Sequence, residues 1–261
     1  MSTGVARDPL LAVSSVDVDI AGRHLVEGLT FGAHRGEFIA VLGENGVGKT
    51  LTLHTLAGLR PAAAGSIVVQ GQDLREWPRR ALARVLGLLT QSSEDPFPST
   101  VLETALIGRH PHIDFWRWES EHDYGTARRA LVDVDLAARE ERTVETLSGG
   151  ERRRLAIATV LTQEPLLYLL DEPTNHLDPH HQLEILHLFR ARADQGASVI
   201  ATLHDATLAA RFADQVLLLF GGGAWVYGSS ASMLDTTHLT RLYRTSIHEL
   251  EFRGRRVFVS E

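Results

Sequence analysis

Gly43-Glu44-Asn45-Gly46-Val47-Gly48-Lys49-Thr50 has the spacing G-x-x-x-x-G-K-T, which suits a loop that holds a phosphate chain. Glycines at 43, 46 and 48 let backbone N–H groups turn inward and form an anion nest at a helix N-terminus. Lys49 is placed to reach β- and γ-phosphates, and the Thr50 hydroxyl to ligate Mg²⁺. The chain has 26 basic residues, and Lys49 is its one lysine. Guanidinium is a wide planar fork, whereas ammonium is a compact charge on a thin stem, so a tight backbone loop favours lysine. The plainer account is arginine bias from genome composition with one chance survivor. Chance would seldom leave that survivor in the motif that demands it.

A second group of residues could complete the chemistry. The apolar run Leu166–Leu170 ends in Asp171-Glu172. A buried strand ending in paired carboxylates is costly unless a ligand uses them. Asp171 is placed to hold Mg²⁺ through water, and Glu172 to polarise an attacking water. Leu147-Ser148-Gly149-Gly150-Glu151 precedes a helical run, and Ser148 and Glu151 have capping-box spacing. A cap does not need two glycines between its partners. Gly149 and Gly150 bare the helix N-terminus to an anion.

With Leu147–Glu151 added to the phosphate loop and the acids, the chain resembles the nucleotide-binding subunits of ABC transporters, over about Leu10 to Ser260. The resemblance implies ATP and Mg²⁺ as cofactors. It also implies a head-to-tail homodimer in which Ser148–Glu151 of one copy close on the nucleotide held by residues 43–50 of the other. Gln91 is similar to the family's Q-loop glutamine, which contacts the metal with Thr50 and Asp171. Asn175-His176-Leu177-Asp178 is similar to the D-loop, and His204 to the switch histidine that touches the γ-phosphate. Glu172, His204 and Gln91 are the catalytic candidates. One departure stands out: where the family commonly stacks an aromatic ring on adenine, this chain has Ile20, then Ala21-Gly22. His24 and Arg23 are the nearby residues that could stack instead.

Thr100-Val101-Leu102-Glu103 and Ile107-Gly108-Arg109-His110-Pro111-His112 resemble the T-V-x-E and G-R-x-P-H stretches of importer ATPases for iron–siderophores, haem and cobalamin. Asn175–Asp178 with His181-Gln182, and the ending Val257-Phe258-Val259, are similar to the same group. That subgroup implies a transmembrane permease as direct partner and a periplasmic or surface binding protein as indirect partner. The place implied is the cytoplasmic face of the cell membrane. An exporter subunit is the nearest alternative. A soluble ABC ATPase of repair needs a long coiled coil, for which the interval from Thr50 to Asp171 is too short; translation types carry two cassettes.

The elements that must position these residues are legible in outline. Strand, glycine loop and helix follow from Phe38–Leu42, residues 43–50 and a helix from Thr50 through about Leu59. Val16, Val18 and Ile20 alternate with acids as a half-exposed strand, and Leu25–Phe31 returns beside it. Val85–Leu89, Leu166–Leu170, Val199–Leu203 and Val216–Phe220 read as parallel strands. The expected fold is α/β: a P-loop NTPase (RecA-like) core over 10–91 and 162–246, with an N-terminal antiparallel β layer. A helical insert spans 92–161 and a C-terminal hairpin 247–261. Phe115, Trp116 and Trp118 are expected in the insert's core, or secondarily in a partner groove. Arg152-Arg153-Arg154 is expected as the polar start of a helix. His176, His180 and His181 are interrupted by Pro179 and make a poor metal site. A net charge of −7 gives no global field for nucleic acid, and no apolar run approaches the roughly 18 residues of a membrane span.

Overall fold

The structure, a computed structural model, describes residues 8–91, 98–114 and 116–261. Strand β1 (Leu11–Ile20) pairs antiparallel with β2 (Arg23–Ala33). Strand β3 (Phe38–Gly43) is buried throughout. Phe38, Ala40 and Leu42 enter one apolar core, Ile39 and Val41 the other, as a central strand covered on both faces requires. Helix α1 (Lys49–Leu56) starts directly after the glycine loop. It closes three residues before the expected Leu59. The chain turns left-handed at Gly58 (φ 69°), where a Cβ would press on Leu74 at 3.3 Å. Strand β4 (Ala64–Val69) returns beside β1, and β5 (Gln72–Asp73) completes an antiparallel sheet of order β2-β1-β4-β5.

Helix α2 (Arg79–Leu82) leads into β6 (Leu86–Leu89). Helices α3 (Val101–Leu106), α4 (Glu121–Asp133) and α5 (Gly149–Thr162) then pack against one another. Each begins with a full capping box, at Thr100/Glu103, Ser120/Asp123 and Ser148/Glu151. The chain then runs through β7 (Leu167–Leu170), α6 (Pro179–Asp194), β8 (Ser198–Thr202), α7 (Ala206–Phe212), β9 (Gln215–Gly221) and β10 (Ala224–Ser229). The main sheet has order β10-β9-β3-β8-β7-β6, parallel except for the edge strand β10. Helices α8 (Ser230–Met233) and α9 (Thr236–Tyr243) precede a hairpin of β11 (Ile247–Phe252) and β12 (Arg255–Ser260). Its two-residue turn places Arg253 (φ 53°) and Gly254 (φ 72°) in the left-handed region, the geometry that matches strand twist. This is the P-loop NTPase fold with its antiparallel layer and helical insert.

Two expectations change here. Trp116 and Trp118 are each 90% exposed and do not pack in the insert. That core is already filled by Val101, Leu131 and Leu155, each at most 2% exposed. Phe115 lies outside the described residues. Pro179 starts α6 instead of interrupting it, because the first helical position needs no N–H donor. His180 and His181 therefore lie in its first turn and His176 before it. Among the described residues no group of three or more ligating side chains is arranged for a metal ion. No helix among them is long and apolar enough to cross a membrane.

Candidate functional site

Four adjacent parallel strands end on one edge of the main sheet, where ligands of open α/β sheets bind. Strand β3 delivers the glycine loop. Strand β8 ends at Thr202, two residues before His204. Strand β7 ends at Leu170, followed by Asp171 and Glu172. Strand β6 ends at Leu89, two residues before Gln91. The order β3-β8-β7-β6 brings together groups that are far apart in the chain.

Lys49 is 5% exposed, and its ammonium donates to Gly43 O (2.7 Å) and Glu44 O (3.0 Å). Burial pulls it below the ordinary lysine range, against the opposing carboxylates of Glu172 and Asp171. Gly48 adopts φ 110°, and a Cβ there would stand 3.0 Å from Leu25 Cβ. The β1–β2 hairpin therefore lies directly against the loop. Arg244, at the end of α9, pairs with Glu44 at 3.1 Å.

Asp171 is fully buried. Its Oδ1 accepts from Thr202 Oγ1 (2.8 Å), whereas Oδ2 is buried with no hydrogen-bond partner. Glu172 has φ 49°, a conformation that costs a non-glycine residue about 1–2 kcal/mol. Its N–H donates to Thr202 Oγ1 (2.7 Å), so one threonine steadies both acids. The Glu172 carboxylate is the hub of the site. His204 Nε2 lies 2.7 Å from Oε1, and Gln91 Nε2 donates to Oε2 at 3.0 Å. Asn175 Nδ2 donates to the same Oε2. Tyr243 hydroxyl donates to His204 O (3.1 Å) and ties α9 to the segment after β8.

Gln91, Glu172, Asn175 and His204 line a cavity of about 580 Å³ with Asn45, Gly46, Gly48, Lys49, Thr50 and Leu51. Ser148, Gly149, Gly150 and Glu151 are not in its lining. They form the start of α5. Ser148 Oγ accepts from Glu151 N (3.3 Å), and Glu151 Oε2 from Ser148 N (2.8 Å). The Ser148 N–H holds the Glu151 carboxyl below its usual range, and Arg139 pairs with it at 2.7 Å. The cap uses the N–H groups of Ser148 and Glu151, not those of Gly149 and Gly150. A Cβ on Gly150 would stand 3.1 Å from His176 O, so the segment Asn175–Asp178 crosses closely over this helix end. Asp178 itself caps α6, accepting from His181 N at 3.0 Å. A larger cavity, about 990 Å³, lies at the opposite ends of β7 and β8 and includes no part of the glycine loop.

The polar-start expectation for Arg152–Arg154 fails for two of its three residues. Arg152 is exposed, but Arg153 and Arg154 are 6% and 8% exposed. Arg154 donates to Val134 O (2.9 Å) and Asp135 O (3.0 Å) within the insert. Arg153 reaches the strand ends, donating to Thr90 O, Asp171 O and Glu172 O. Burial pulls its guanidinium down to about 10, against the carboxylates of Asp171 and Glu172. A signal existed: Arg153 and Arg154 lie four residues before the buried Ile157 and Ala158, on one helix stripe. Arg109 of the 107–112 stretch is likewise internal. It bonds Asp123 (2.8 Å) and Glu164 (3.0 Å) and joins α4 to the start of β7.

At the hairpin tip, Ile20 is 39% exposed and is the cross-strand partner of Arg23. Along β1 Ile20 shares its face with the buried Val18. His24 instead pairs with Asp19, Nδ1 to Oδ1 at 2.9 Å. Arg23 is therefore the better placed of the two to lie beside whatever Ile20 touches.

The family model described as ABC transporter matches residues 26–175. A hemin import ATP-binding protein of Gloeobacter violaceus is 41% identical over 226 residues, 84% of this chain and 82% of that one. A cobalamin import ATP-binding protein of Halobacterium salinarum is 34% identical over 225 residues, 86% of this chain and 56% of that one. A chain from a solved inward-facing metal-chelate type ABC transporter aligns with a TM-score of 0.84 at 28% identity, covering 97% of this chain and 98% of that one.

Proposed function

This chain belongs to the ABC transporter family and is an ATPase, and from that premise we propose that it drives import of a metal chelate such as hemin, cobalamin or an iron–siderophore. The observation that carries the ATPase chemistry is the convergence of Gln91, Asn175 and His204 on Glu172, beside Lys49 and the glycine loop. The direction and cargo class are supported by the relatives and by the Thr100–His112 stretch.

In this reading residues 43–50 cradle the triphosphate. Lys49 exchanges its backbone acceptors for β- and γ-phosphate oxygens. Glu172 takes a proton from the water that attacks the γ-phosphorus, and His204 bridges that phosphate and the Glu172 carboxylate. Thr50, Gln91 and Asp171 would hold Mg²⁺, which neutralises charge on the leaving phosphates. The donor set fits, because Asp171 Oδ2 is buried without a partner and its neighbour Oδ1 is already fixed by Thr202. Ser148, Gly149, Gly150 and Glu151 are absent from their own chain's cavity and serve a second copy in a head-to-tail homodimer. Asn175, His176, Leu177 and Asp178 pass between the two sites. The subunit works peripherally at the cytoplasmic membrane face, on a permease fed by a binding protein.

Uptake distinguishes this from an exporter. Cells lacking the chain should lose energised uptake of labelled hemin, cobalamin or ferric siderophore, and regain it with the parent but not with a Lys49→Ala variant. Unchanged uptake of all three, with altered efflux instead, would reverse the direction. Base selectivity gives a second test. Ile20 offers no aromatic face, and stacking is worth about 1–3 kcal/mol per base. GTP should therefore compete for a fluorescent ATP analogue within about tenfold of ATP. A preference for ATP above about a hundredfold would mean that another residue, Arg23 first, reads the adenine.

A further inference from the structure

Arg153 connects the helix that begins at Ser148 to the acids, a link that no motif describes. It lies in the second turn of α5, yet its guanidinium leaves the insert and enters the core. Nη1 donates to Thr90 O at 2.6 Å, and Nη2 donates to Glu172 O at 2.7 Å and to Asp171 O. One buried side chain thus holds the residue before Gln91 and the backbone of both acids. Glu172 has particular need of this. Its backbone is left-handed, and its N–H is fixed from the other side by Thr202 Oγ1. Its carbonyl accepts from Arg153 and from Asn175 N (3.1 Å). The direction of the Glu172 carboxylate follows from that backbone. Charge-assisted bonds from a planar fork are suited to hold three carbonyls at once.

We infer that Arg153 is a positioning residue that fastens the strained Glu172 backbone and the Thr90–Gln91 strand end to α5, so that the aim of Glu172 follows the placement of Ser148. The inference rests on Glu172 being the base. Any ligand that draws Ser148–Gly150 toward a phosphate shifts the helix that carries Arg153, and the shift reaches Glu172 through these bonds.

The test compares Arg153→Met, Arg153→Gln and Arg153→Lys with the parent in kcat, KM and affinity for a fluorescent ATP analogue. Each is made alone and in a Glu172→Gln background, where residual single-turnover rates are read. Arg153→Met should lower kcat by about tenfold or more, with KM and analogue affinity held within about threefold. Lysine and glutamine still donate and should restore part of the rate. In the Glu172→Gln background, Arg153→Met should change the residual rate by less than about twofold, because the group it aims is already disabled. Three results overturn the inference: parent-like kcat in folded Arg153→Met, equal loss of kcat and binding in every folded variant, or a tenfold loss that persists in the Glu172→Gln background. If the methionine variant does not fold, Arg153→Ala, which also lacks a side-chain donor, carries the same comparisons. Parent-like turnover by Glu172→Gln alone would sink the reading of Glu172 and is recognisable separately from any Arg153 result.

Discussion

Glu172→Gln is expected to leave ATP binding intact and to slow hydrolysis by about 10²–10⁴-fold, the usual contribution of a positioned general base. The substitution keeps the side chain's size and one acceptor oxygen, but it removes the group that takes the proton. Gln91, Asn175 and His204 all address this one carboxylate, and Lys49 stands close enough for its charge to be felt. No other acid among the described residues shares that position. Asp171 is fully buried and committed through Oδ1 to Thr202, so it cannot replace the base. With hydrolysis blocked, ATP should accumulate between two copies. Light scattering should then show a dimer that forms with ATP and disperses when nucleotide is removed. Near-normal turnover would end the assignment of Glu172, and a strictly monomeric ATP complex would end the shared-site reading.

The legibility of this site has a physical basis. Phosphate loops demand glycines at fixed offsets, so residues 43–50 announce themselves in one stretch, as do the acids after Leu170 and the glycines after Ser148. Thr202 does not. In sequence it is an ordinary β-former inside an apolar run. Its role exists only because β7 and β8 pair with Leu170 opposite Ala201, which brings its hydroxyl to both acids. Arg153 is hidden for a related reason. Three consecutive arginines suggest a solvated face, and only the packing of α5 against the strand ends decides which of them turn inward. Trp116 and Trp118 fail in the opposite sense. Aromatic residues favour cores, but the core among α3, α4 and α5 is built from smaller apolar side chains such as Val101, Leu131 and Leu155.

Lys49→Arg is expected to lower hydrolysis by on the order of 10²-fold or more, although the net charge of the chain is unchanged. Lys49 is 5% exposed, and its ammonium is held at 2.7 Å from Gly43 O and 3.0 Å from Glu44 O, inside a loop closed by Leu25 against Gly48. A guanidinium is wider, and its donors diverge in a plane instead of converging from a point. It would have to push the loop outward or leave it, and either shift misplaces the phosphates relative to Glu172. The effect should therefore fall on kcat more than on folding, since the thermal midpoint should move little. The lone lysine offers an independent check. Apart from the α-amine, an amine-reactive ATP analogue should label one internal residue, and excess ATP with Mg²⁺ should protect it. If Lys49→Arg turns over ATP like the parent, the steric account of this retained lysine is wrong, and arginine bias with chance survival explains it better.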